Sequence, residues 1–152
     1  MTKNFLSRGS EETREYARQF ACTLQRGDAV ALTGGLGAGK TEFTRGIADV
    51  FNVSADVTSP TFTLLNIYNG TWRGESVSLY HFDWYRLETR NELYNIGIDE
   101  YLYGDGISII EWADRFLDAL PKHSRRVNID VVGETERLII IEGGLPIARA
   151  TF

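Results

Sequence analysis

Residues 34–41 read Gly34-Gly35-Leu36-Gly37-Ala38-Gly39-Lys40-Thr41, which matches the pattern G-x-x-x-x-G-K-[ST]. No other feature of the chain restricts its fold as tightly. A loop of this kind works only between a buried strand and the first turn of a helix. Its glycines let successive backbone N–H groups curl toward phosphate oxygens, and the helix that starts there adds the positive end of its dipole. Both flanks are present. Residues 29–33, Ala-Val-Ala-Leu-Thr, read as a short buried strand, and over residues 40–51 Phe43, Ile47 and Phe51 fall on one helical face. A glycine-rich turn that met the pattern by chance would lack this setting. The expected phosphate cradle is therefore Gly35, Leu36, Gly37, Ala38, Gly39, Lys40 and Thr41. Lys40 is placed to reach the β- and γ-phosphates and the Thr41 hydroxyl to ligate Mg²⁺.

Such a loop needs an acid at the end of a neighbouring strand, to hold the metal's shell or orient water. Asp83 closes the run 77–82, and Glu111 closes the cleaner apolar run 107–110. Ligands of open α/β sheets sit at the carboxyl ends of strands, so both positions suit the task. On composition alone each has an alternative. Asp83 can cap the turn into Trp84-Tyr85-Arg86, and Glu111 can be a helix-start acid, with Trp112 beside it at the site rim. The segment Thr58-Ser59-Pro60-Thr61 is a third element: Pro60 biases Ser59 toward extended geometry, and a threonine-bearing loop after the P-loop helix can sense a γ-phosphate, or simply lead into a strand. Ser59, Thr61 and Trp112 are thus candidate switch or partner contacts. His81, inside a strand, reads as a packed histidine.

The remaining pattern predicts a helix over 10–25 capped by Ser10, strands over 62–68 and 77–82 with turns around Asn69-Gly70 and Arg73-Gly74, and a helix over 88–96. A short helix over 99–103, a strand over 107–110, a short helix over 114–120 and a closing hairpin from 126–132 and 137–141 complete the chain. This mix predicts an α/β fold, a three-layer sandwich with a mainly parallel central sheet and a C-terminal antiparallel hairpin. With 152 residues, the expectation is one domain over 1–152. Sixteen Lys and Arg against 21 Asp and Glu leave a net charge of −5, which argues against a surface that grips nucleic acid by itself. One cysteine, Cys22, permits neither an internal disulfide nor a cysteine zinc site. No apolar run approaches the ~18 residues of a membrane span, and the N-terminus lacks a secretory pattern. The chain reads as soluble and cytoplasmic, with no membrane partner.

Several segments together resemble the bacterial TsaE family, also called YjeE: Gly37-Ala38-Gly39-Lys40-Thr41, Ser59-Pro60-Thr61-Phe62-Thr63-Leu64, Tyr80-His81-Phe82-Asp83-Trp84-Tyr85-Arg86-Leu87, Gly97-Ile98-Asp99-Glu100-Tyr101 and Glu111-Trp112. They occur in the family's order and at similar spacing. Gly35 departs from the family, which often carries an acid there. The resemblance implies a P-loop-type NTPase fold, with ATP and Mg²⁺ as ligands. It implies phosphate binding by Lys40, metal binding by Thr41, a Walker B-like Asp83 and a Glu111 that contacts Mg²⁺ or its water. The adenine is expected near the first helix and the last hairpin. The implied activity is slow ATP hydrolysis that resets the partner proteins TsaD and TsaB between rounds of tRNA threonylcarbamoyladenosine formation, so that tRNA is met only through that pair.

Two other classes compete. A P-loop small-molecule kinase would need an arginine lid, for which Arg86, Arg90, Arg125 and Arg126 are the candidates. A nucleotide-dependent interaction module would bind ATP without useful hydrolysis. A GTPase is disfavoured by the lack of an Asn-Lys-x-Asp motif.

Overall fold

The computed structural model describes residues 2–142. Residues 145–152, in which no motif is legible, lie outside the described residues. The strands are β1 (Thr2–Ser7), β2 (Ala29–Thr33), β3 (Leu65–Trp72), β4 (Glu75–Asp83), β5 (Ile107–Glu111), β6 (Arg125–Val131) and β7 (Arg137–Glu142). The α-helices are α1 (Ser10–Ala21), α2 (Lys40–Val50), α3 (Arg90–Asn95) and α4 (Ile98–Leu102).

All seven strands join one sheet in the order β1-β7-β6-β2-β5-β4-β3. The four central strands β6, β2, β5 and β4 are parallel. Antiparallel strands finish both edges: β7 and β1 on one side, with β6 and β7 forming the expected hairpin, and β3 on the other. Helices cover both faces. α1 and α2 pack over Val30 and Leu32 of β2 and Ile107 and Ile109 of β5. On the opposite face α3 and α4 close over Ala29, Ala31, Phe82 and Ile110, together with Ala113. Ala29, Val30, Ala31 and Leu32 are all fully buried, which is why β2 reads as an unbroken apolar run rather than an alternating one. Among the described residues no helix is long and apolar enough to cross a membrane.

The local expectations need five corrections. β1 has no counterpart among the expected strands; it is an edge strand, mostly exposed and paired with β7, so it carries little apolar alternation. Ser10 is the first residue of α1 rather than its cap; the N-cap is Gly9, and the Arg8 N–H is satisfied by the Glu12 carboxylate at 2.9 Å. α1 stops at Ala21 rather than near Gln25. Residues 114–120 form two short 3₁₀ turns, Ala113–Arg115 and Leu117–Ala119. Asn69-Gly70 is not a turn but the middle of β3, which starts only at Leu65 and leaves Phe62 exposed; the hairpin turns at Arg73 and Gly74, both at positive φ.

The reason for that glycine in a strand is a close approach. The Thr71 N–H donates to Phe51 O at the end of α2, and a Cβ on Gly70 would lie 2.3 Å from the same oxygen. Gly70→Ala is therefore expected to push β3 off α2 and destabilise the fold by about 1–3 kcal/mol, the usual cost of overpacking. A lowered urea midpoint at unchanged slope is the result to look for; an unaltered midpoint would show that this contact yields freely.

Candidate functional site

Three parallel strands deliver their carboxyl ends to one place. β2 runs into the glycine loop, β4 ends on Asp83 and β5 ends on Glu111, with Asp83 opposite Glu111 and Leu32 opposite Glu111 in the sheet register. Ligands of open α/β sheets bind in this position. The loop lies close to its neighbour here. Gly34 sits at φ 135°, and a Cβ on it would stand 2.2 Å from Ile129 O of β6. Only glycine fits at that point.

A cleft of about 460 Å³ opens beside the loop. Its walls contain the expected nucleotide, metal and switch residues: Gly35 through Thr41, Ser59, Thr61, Asp83, Glu111 and Trp112. They fall into three bonded groups. In the first, Lys40 is 5% exposed and donates from Nζ to Gly34 O at 2.6 Å and Gly35 O at 3.0 Å. Its ammonium also lies 3.6 Å from the centroid of the Trp112 ring. Burial pushes the ammonium below the ordinary lysine value, against the opposing pull of Glu111, Asp114 and Asp83. Its direct partners are neutral carbonyls and a π face, weaker acceptors than a phosphate would be.

In the second group, the Thr41 hydroxyl donates to the Glu111 carboxylate, 3.1 Å from Oε2 and 3.3 Å from Oε1. The same carboxylate meets His81 Nε2 at 2.5 Å. In the third, Asp83 Oδ2 accepts from Ser59 Oγ at 2.9 Å and Thr61 Oγ1 at 3.3 Å, and Oδ1 accepts the Tyr85 N–H at 2.9 Å. The two acids are therefore differently engaged. Glu111 holds the threonine of the P-loop, and Asp83 holds the 58–61 loop.

The side-chain groups here that could ligate a cation include the hydroxyls of Thr41, Ser59 and Thr61 and the carboxylates of Asp83 and Glu111. Among the described residues no cluster of three or more His, Cys, Asp or Glu could hold a metal without help. That donor set fits Mg²⁺, which is held by one or two carboxylates together with substrate phosphates and water.

Sequence reasoning missed three contributors. His81 is packed inside β4 as expected, and it also bonds Glu111. Tyr85 packs against Trp112 with ring centroids 4.8 Å apart and planes tilted by 52°, and Trp112 adopts a left-handed φ of 60°. Arg137, in the last hairpin, donates to Gly37 O at 3.1 Å. A second cleft of about 300 Å³ lies where the start of α1, Gly37–Ala38–Gly39 and the β6–β7 turn meet, lined by Ser10, Thr13, Glu134 and Arg137 among others. Period-two placement two residues before Asp83 was the signal for His81; nothing local marked Arg137. The candidate lid arginines do not assemble, and none lines the main cleft. Arg90 pairs with Asp118, Arg86 lies over Phe62, and Arg125 is buried against Phe20 and Thr23.

A mixed sheet layered by helices, with the glycine loop between its central strand and α2, defines a protein of the P-loop NTPase type. A family model described as threonylcarbamoyl adenosine biosynthesis protein TsaE matches residues 7–139, and the chain belongs to the TsaE family. The tRNA threonylcarbamoyladenosine biosynthesis protein TsaE of Treponema pallidum is 35% identical over 136 residues, which span 90% of this chain and 97% of that protein. Its namesake from Bacillus subtilis is 40% identical over 129 residues, 85% of this chain and 78% of the relative. The crystal structure of Bacillus subtilis YdiB superposes with a TM-score of 0.80 at 31% identity, covering 99% of this chain and 90% of that one.

Proposed function

We propose that this chain, acting as one P-loop ATPase domain in the cytoplasm, binds ATP and Mg²⁺ and hydrolyses the ATP in the service of tRNA N6-threonylcarbamoyladenosine formation. Its hydrolysis acts on a TsaD–TsaB pair and permits that pair repeated turnover. The observation that carries the reading is the convergence of Lys40, Thr41, Asp83 and Glu111 on one cleft at the ends of β2, β4 and β5. Family membership supports the setting in tRNA modification.

The residues have separable tasks in this reading. The backbone N–H groups of 35–41 cradle the phosphates, and Lys40 exchanges Gly34 O and Gly35 O for phosphate oxygens. Thr41, Glu111 and Asp83 would hold the metal. When bound, the metal would supply charge neutralisation on the phosphates. Glu111 orients the attacking water, and Asp83 couples the site to Ser59 and Thr61, whose loop senses the γ-phosphate. The base rests in the second cleft between α1 and the last hairpin.

Arg137 ties that hairpin to the loop, so Arg137→Ala should weaken nucleotide binding. One partly exposed charge-assisted hydrogen bond is worth about 1 kcal/mol, or roughly fivefold in Kd. Titration calorimetry with ATP checks this, and an unchanged Kd would detach the hairpin from the site.

The function itself is tested with tRNA in excess over TsaD and TsaB. Product should rise beyond one modified tRNA per complex only when this chain and hydrolysable ATP are both present. Repeated turnover without the chain contradicts the reading.

A further inference from the structure

His81 is fully buried in β4, and among the described residues its side chain makes one hydrogen bond, from Nε2 to Glu111 Oε2, 2.5 Å away. An ionised carboxylate only accepts, so Nε2 carries the proton. Nδ1 is buried and has no partner among the described residues. In the β4–β5 register His81 stands opposite Ile109, and Asp83 opposite Glu111. His81 and Glu111 are therefore diagonal neighbours on one face of the sheet. Leu79, Ile107 and Ile109 are buried on that face, and the Tyr68 ring lies 6.3 Å from the imidazole, while Asn66 of β3 stands opposite His81 in the register. Packing alone would be better served there by an apolar side chain, because a buried imidazole with one bare nitrogen costs free energy that its shape does not return.

The pair has a direction. Glu111 is 3% exposed and faces the cleft, where Thr41 Oγ1 meets it. His81 grips the same carboxylate from the interior and does not itself line the cleft. We propose that His81 is a positioning residue, whose Nε2–H fixes the Glu111 carboxylate in the orientation that serves the reacting water and the metal. The inference rests on the reading of Glu111 given under Proposed function. His81 touches no substrate in it and acts only through Glu111. An acid held from one side by Thr41 alone would turn about its side-chain torsions, and misorientation of the acid slows the chemical step without loosening the phosphates. Loss of such an outer partner typically costs 10–100-fold.

The test is a double-mutant cycle read by steady-state kinetics, nucleotide Kd and thermal melting. His81→Phe and His81→Leu both fill the space without a donor, and His81→Gln restores an amide N–H. Either apolar variant is expected to lower kcat for Mg-ATP hydrolysis by about 10–100-fold, with KM and Kd within about threefold of wild type. His81→Gln should recover a large part of kcat. In the Glu111→Gln background, followed with γ-labelled ATP over long times, the apolar substitution should change turnover by less than twofold, because the group it positions is already gone. Three results overturn the inference: a folded apolar variant with kcat within twofold of wild type, the same fractional loss in both backgrounds, or failure of His81→Gln to exceed the apolar variants. Should neither apolar variant fold, His81→Gln and His81→Asn are compared instead, and equal kcat for the long and the short amide overturns it. Wild-type protein that releases no phosphate removes the hydrolytic reading and this inference together. Normal wild-type turnover with an indifferent His81→Phe removes the inference alone.

Discussion

Lys40→Ala is expected to abolish phosphate release and to weaken nucleotide binding severely. The lysine meets the glycine loop from within, its ammonium held by Gly34 O, Gly35 O and the Trp112 face. Each of those partners is weaker than a phosphate oxygen, so the ammonium is free to transfer to the nucleotide. Removing a fixed charge aimed at a transferring phosphoryl group commonly costs about 10²–10³-fold in kcat. The fold should tolerate the change. Among the described residues Nζ donates to two carbonyls at a cleft, which water can satisfy in its place, and burial already disfavours the charge. A melting temperature near that of wild type with turnover lost is the expected pair of results, measured by thermal denaturation and phosphate release. A variant that retains both nucleotide binding and activity with the partner proteins would remove the cleft from the mechanism.

Glu111 should behave differently. Glu111→Gln is expected to leave ATP binding within a few-fold of wild type while slowing hydrolysis by about 10²–10⁴-fold, the range for loss of a positioned acid or base. The geometry separates it from the phosphate cradle. Its carboxylate meets Thr41 and His81, not the loop's N–H groups. Binding should therefore survive where turnover does not, which is the reverse of Lys40. Asp83→Asn offers a useful contrast, since Asp83 holds Ser59, Thr61 and the Tyr85 N–H. Its loss should loosen the 58–61 loop, seen as a greater rise in KM than at Glu111. Equal losses of binding and turnover for Glu111→Gln would reassign Glu111 to ground-state binding, and full turnover would leave an interaction module without useful hydrolysis.

The site was legible wherever chemistry and local geometry coincide in sequence. The loop 34–41 needs a buried strand before it and a helix after it, and Ala29–Thr33 and Lys40–Val50 supply both. Asp83 and Glu111 were found because each stands at the end of a strand, and the register then placed them side by side. What escaped is information carried by pairing between distant segments. β1 is ordered by β7, more than a hundred residues along the chain. Gly70 reads as a turn because the oxygen that excludes a side chain there belongs to Phe51. Arg137 reaches Gly37 only because the closing hairpin lies beside the loop. His81 reads as no more than a packed histidine for a related reason: its own strand explains a buried residue, and the bond to Glu111 belongs to the neighbouring strand.

The most direct measurement is phosphate release from Mg-ATP by the purified protein, alone and with TsaD and TsaB, beside Glu111→Gln. The account predicts slow release by the protein alone, a rate that the partner pair changes, and loss of release in the variant under both conditions. Nucleotide binding with no phosphate release, with or without the partners, would contradict it.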